Sequence, residues 1–99
     1  MKPALPDRDA LAALCGRWKI DELSIFGSGA RGELRPDSDI DLAVTFSREA
    51  DWSLFDFARL AHELSTLFGR EVDLIETDQI RNPYRAESIR RDLTVLYAA

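Results

Sequence analysis

The chain has 99 residues, 45% hydrophobic and 9% aromatic, with a formal net charge of −5 and one cysteine. This composition is globular rather than disordered, and its acidity argues against strong non-specific nucleic-acid binding, which needs basic surface to neutralise phosphates. One cysteine excludes an internal disulfide, and no stretch approaches the ~20 apolar residues of a membrane span.

The opening residues lack the apolar core of a signal peptide, so a cytoplasmic protein is expected, with a single domain over 1–99. Asp7 follows Pro6 and can cap a first helix, where Leu11, Leu14, Cys15 and Trp18 recur as an amphipathic stripe. Leu23 to Phe26 is a short apolar run stopped by Gly27, which predicts a first strand. From Gly27 to Ser38 a loop is expected with room for one helical turn, because Pro36 and its polar neighbours oppose a longer helix. Ile40, Leu42 and Val44 alternate with Asp39, Asp41 and Ala43, the period of a strand with one buried face.

A stronger helix is predicted from about Trp52 to Phe68, with Phe57, Leu60, Ala61, Leu64 and Phe68 as its core stripe and Gly69 as its cap. Val72 to Ile75 reads as a third strand. Asn82-Pro83 starts a further helix to about Asp92, and Leu93 to Tyr97 forms a last short strand. The fold class implied is α/β, a small mixed β-sheet packed by helices.

The chemistry concentrates in two stretches. Asp39 and Asp41 are two apart on a strand, so their side chains leave one face roughly 7 Å apart. Paired carboxylates repel and stay ionised cheaply only beside a cation, and hard oxygen donors suit Mg²⁺. Gly27-Ser28 sits where a strand gives way to a turn; glycine admits a phosphate close to the backbone, and the Ser28 hydroxyl adds a donor. Asp73 stands between Val72 and Leu74 on the third strand. If that strand neighbours the second, a third carboxylate joins the same face, enough for two metal ions.

Two other motifs overlap this stretch and fail on spacing. Gly27-x-Gly29-x-x-Gly32 matches a dinucleotide-binding fingerprint, but six residues including Pro36 leave no room for its crossover helix. Asp37-x-Asp39-x-Asp41 opens like a calcium loop, yet its sixth and twelfth positions are Leu42 and Arg48 instead of Gly and Glu. A solvated acidic strand end is the plain alternative, and the glycine-serine loop beside it disfavours that reading.

From Phe26 to Glu33, from Ser38 to Leu42 and from Val72 to Leu74, the chain resembles the minimal nucleotidyltransferases of the DNA polymerase β superfamily. The shared signature is Gly27-Ser28, a ten-residue spacer, then Asp39-Ile40-Asp41. Gly29 departs from the Arg or Tyr that relatives often carry there. The resemblance implies a palm-like nucleotidyltransferase fold in which Asp39, Asp41 and Asp73 are catalytic and metal-binding. Asp73 would also orient or deprotonate the acceptor hydroxyl. It further implies that Gly27 and Ser28 bind the nucleotide, with Arg31 as a further phosphate or carboxylate partner. Two Mg²⁺ ions and ATP as co-substrate are implied with them.

Short proteins of this kind pair with HEPN-family ribonuclease toxins, and the resemblance implies an antitoxin that transfers AMP to a toxin tyrosine. With 99 residues there is a catalytic core and no separate lobe for an acceptor, which fits a protein acceptor. A non-catalytic antitoxin acting by binding alone, and NMP transfer to a small molecule, are the alternatives. Among other residues, His62, the one histidine, reads as a surface or core-packing residue and Cys15 as core. Trp18 and Trp52 read as core edge or partner surface, and Arg81, Arg85, Arg90 and Arg91 as a solvated face. Exposed apolar residues after Asp51 could support a homo- or hetero-oligomer.

Overall fold

The structure, a computed structural model, describes residues 6–27, 39–77 and 93–99. Helix α1 spans Arg8–Arg17, and strands β1 and β2 span Ile20–Phe26 and Ile40–Phe46. Helix α2 spans Leu54–Phe68, and strands β3 and β4 span Val72–Glu76 and Thr94–Ala98. The strands form one mixed sheet in the order β3-β2-β1-β4. β1 is antiparallel to both β2 and β4, while β2 and β3, joined through α2, are parallel.

Asp7 caps α1 as its sequence position implies, its side chain accepting from the Ala10 N–H at 3.4 Å. The predicted stripe is the buried one: Leu11, Leu14, Cys15 and Trp18 are all buried. Burial pushes the Cys15 thiol up to about 11, which keeps it protonated and unreactive at neutral pH. Against these residues pack Leu23 and Ile25 of β1, Ile40, Leu42 and Val44 of β2, and Leu60, Leu64 and Phe68 of α2. This core fills one face of the sheet.

Helix α2 begins two residues later than the apolar pattern predicts. Ser53 is its cap, with the Ser53 hydroxyl accepting from the Asp56 N–H at 3.1 Å and the Asp56 carboxylate accepting from the Ser53 N–H at 3.0 Å. That reciprocal pair is a capping box. The Ser53 N–H, first among its causes, holds the Asp56 carboxyl below its ordinary value. Its contribution to stability is therefore present above the unfolded pKa and fades as pH falls through the lower folded value. Ser53→Ala is expected to lower unfolding stability by about 1 kcal/mol in urea titration, the usual cost of a lost cap. At the other end, Gly69 takes a left-handed φ of 69° and closes the helix, as its sequence position suggests.

Two features differ from the sequence reading. β1 starts at Ile20, three residues early, because Ile20 and Glu22 pair with Phe46 and Thr45 although Asp21 and Glu22 break the apolar run. β2 buries more than one face: Ala43, which alternates with the core residues, is 2% exposed. It packs with Phe26, Ile75 and Leu93 as a second, smaller cluster on the face away from α1 and α2. The last strand is present as β4; the helix expected over Asn82 to Asp92 lies outside the described residues.

Candidate active site

Two of the three predicted carboxylates, Asp41 and Asp73, lie on strands that start at the same end of the sheet, and Asp39 directly precedes the first of these strands. The backbone N–H of Ile40 donates to the Glu71 carbonyl at 2.9 Å, tying the start of β2 to that of β3. The parallel register then sets Ile40 against Val72, Asp41 against Asp73 and Leu42 against Leu74. Neighbouring strands lie about 4.8 Å apart, so Asp41 and Asp73 stand side by side. Ile40, Leu42, Val72 and Leu74 are buried in the main core, which sends the intervening carboxylates to the opposite face. Asp41 is half-buried and Asp73 exposed; Asp39, also exposed, precedes the strand by one residue.

Across the antiparallel side, Phe26 is the register partner of Asp41. Gly27 follows immediately, with φ at +70°, a left-handed conformation that L side chains rarely adopt. The turn brings its Cα against the aspartate: a Cβ at Gly27 would lie 3.0 Å from Asp41 Oδ2. Glycine is thus favoured twice here, by the left-handed backbone and by the carboxylate, which an added Cβ would push aside by a few tenths of an ångström. The sequence places Gly27 near phosphate chemistry; the contact with Asp41 depends on β1 and β2 running antiparallel, which no local pattern specifies. Ser28 and Arg31, the other predicted nucleotide-binding residues, lie outside the described residues.

The donor set fits a hard divalent cation. All three side chains are carboxylates, on one end of one sheet, with the first two strand positions in register. Among the described residues no three acidic, histidine or cysteine side chains close into a metal cage. Mg²⁺ does not require one, since it is usually held by one or two carboxylates together with substrate phosphates and water. An apolar base of Phe26, Ala43 and Ile75 lies beside the carboxylates and stiffens the strands that carry them. His62 is exposed on α2, outside this group.

A glycine turn thus lies over one carboxylate, with a second in register beside it, on a mixed sheet backed by helices. Residues 8–96 match the Nucleotidyltransferase domain family, and the chain belongs to that family as a minimal nucleotidyltransferase. It is 39% identical over 77 residues to MJ1379 of Methanocaldococcus jannaschii, a protein assigned as a protein adenylyltransferase; the match covers 78% of this chain and 77% of that one. A solved minimal nucleotidyltransferase superposes with a TM-score of 0.71 at 38% identity, covering 88% of this chain and 86% of the other. The fold is also shared, at 18% identity and a TM-score of 0.64, with a chain of the complex between a tri-AMPylated Shewanella oneidensis HEPN toxin and its MNT antitoxin. That likeness covers 93% of this chain and 70% of the other. Among the described residues no helix is long and apolar enough to cross a membrane.

Proposed function

We propose that the chain is one minimal nucleotidyltransferase domain over residues 1–99, cytoplasmic, which moves AMP from ATP to a tyrosine hydroxyl of a HEPN-family toxin and so acts as its antitoxin. The observation that carries this reading is the register of Asp41 against Asp73, with Gly27 folded onto Asp41. The relative assigned as a protein adenylyltransferase supports AMP as the group transferred, and the AMPylated HEPN complex of the same fold supports the acceptor.

In this mechanism Asp39, Asp41 and Asp73 would hold Mg²⁺, two ions in the full set. When bound, Mg²⁺ neutralises the triphosphate and lowers the pKa of the acceptor oxygen. Gly27 and Ser28 would bind the β- and γ-phosphates, with Arg31 as a further phosphate partner. Asp73 accepts the proton of the acceptor hydroxyl. The freed oxygen bonds to the α-phosphorus as the bond to the bridging oxygen breaks, and pyrophosphate leaves with that electron pair.

The test uses the chain with a HEPN-family toxin, ATP and Mg²⁺. An AMP-sized mass gain on a tyrosine peptide of the toxin is expected, dependent on both ATP and Mg²⁺ and removed by EDTA. Neutralisation of the toxin without any mass gain would replace this reading with a binding-only antitoxin. Labelling of a small hydroxylated compound in place of the toxin would replace the acceptor.

A further inference from the structure

On the helix side of the sheet, away from the carboxylates, lies a cleft of about 440 Å³ lined by Arg17, Trp18, Trp52, Arg59 and Glu63. Its floor is aromatic, with the two indoles edge-to-face at 4.9 Å between centroids. Both indole N–H groups are used internally: Trp18 Nε1 donates to Glu63 Oε2 at 2.9 Å, and Trp52 Nε1 to the Trp18 carbonyl at 2.8 Å. Trp18 is itself buried, so the floor offers mainly the half-buried Trp52 ring and no free donor from the indoles.

The rim is cationic. The Arg59 guanidinium stands 5.8 Å from the centre of the Trp18 ring. Arg17 contacts Glu63 at 3.3 Å and Arg59 contacts Asp56 at 3.6 Å, but both arginine side chains are about two-thirds exposed. Such exposed pairs contribute little, so either guanidinium can exchange its carboxylate for another at small cost.

Beside this socket is a knob. Leu54 and Phe55, in the first turn of α2, are 84% and 88% exposed. The exposed acids Glu49 and Asp51 precede them in the chain. Phe55 and Arg59 are one turn apart on α2, and Trp52 precedes that helix by two residues, so the knob adjoins the cleft along one side of α2, with Asp51 next to Trp52 in the chain.

We infer that this face seats a second copy of the chain. Leu54 and Phe55 of one copy enter the Trp18–Trp52 cleft of the other, and Asp51 of one meets Arg59 of the other. A two-fold contact uses the same patch twice and therefore needs a patch complementary to itself; an apolar knob beside an aromatic socket, and acids beside arginines, meet that requirement. The overall charge of −5 repels two copies in most orientations, and the arginine rim is where an acidic neighbour is attracted. The pairing leaves the carboxylate face of each copy open.

Sedimentation velocity from about 10 to about 500 µM, without ATP or toxin, tests this at the micromolar-to-millimolar affinities of modest interfaces. The chain is expected to move from monomer to dimer mass as concentration rises, with Phe55→Asp remaining monomeric throughout. Arg59→Glu should weaken association at least tenfold, and Arg59→Glu with Asp51→Arg should restore it, which guards against a Phe55→Asp chain that fails to fold. A monomer at every concentration, or a dimer indifferent to these changes, overturns the inference. So does a monomer whose Phe55→Asp variant loses toxin binding, which would give the face to the toxin. Because neither nucleotide nor toxin enters the mass measurement, its result is separate from that of the AMP-transfer test.

Discussion

With Asp39 and Asp41 both changed to Asn, AMP transfer is expected to fall about 1000-fold or more while the fold survives. Charged groups that clamp a transferring phosphoryl group act where charge develops, and losses of about 100- to 1000-fold follow from removing even a single preorganised partner. Asn keeps the shape of Asp but cannot neutralise a cation. The near-isosteric change should leave the fold intact, with a thermal midpoint within about 5 °C of the parent. Mass spectrometry of the acceptor and a thermal melt in EDTA read the two effects separately. Equal labelling by the double variant would reject these aspartates as the catalytic pair.

Gly27→Ala should produce the second large effect, in activity and stability together. The left-handed backbone costs an L residue about 1–2 kcal/mol, and the new methyl would press on Asp41 Oδ2 from 3.0 Å. The carboxylate must move or rotate to accommodate it. A shift of a few tenths of an ångström in a carboxylate at the reacting centre is expected to lower the rate, because catalysis depends on its placement. Gly69→Ala supplies the control. Its φ is 69°, nearly the same, but nothing lies within 4 Å of the added Cβ. The two variants are expected to lose similar stability in urea titration, with only Gly27→Ala losing AMP transfer. If both lost activity equally, the approach of Gly27 to Asp41 would have no catalytic meaning.

The elements with strong local patterns were readable before any coordinates. The α1 stripe is four apolar residues at helical spacing, and α2 has a matching stripe with a glycine directly after it. The β2 alternation likewise separates Asp41 from Ile40 and Leu42, and that separation gives the carboxylates their face. What could not be read are pairings between distant segments. Nothing local to Ile20, Asp21 and Glu22 marks a strand; the pairing of Ile20 and Glu22 with β2 makes one, while the Asp21 carbonyl accepts from the Ala99 N–H. Ala43 reads as a residue on an open face, and only Phe26 and Ile75 from its neighbouring strands make that position part of a core.

The candidate site divides in the same way. Its residue types and spacing were evident in Gly27-Ser28 and Asp39-Ile40-Asp41. The neighbourhood of Asp73 was conditional on strand order, and the β3-β2-β1-β4 order meets that condition. The contact between Gly27 and Asp41 needed the direction of β1 as well as its position. The Trp18–Trp52 cleft was beyond reach for another reason: each tryptophan is separately a plausible core residue, and their meeting depends on α1 reaching the loop before α2.

The parallel pairing of β2 with β3 also bears on when the protein can act. Asp41 and Asp73 are separated in the chain by all of α2, and a parallel crossover must close before they become neighbours. A slip of one residue in that pairing would turn Asp73 toward the helices and Val72 toward solvent. A newly made or partly unfolded chain, even one with α2 already formed, has its carboxylates apart. Activity is therefore expected to depend on a long-range pairing that helix formation alone does not supply, and its recovery after denaturation should lag recovery of helical signal.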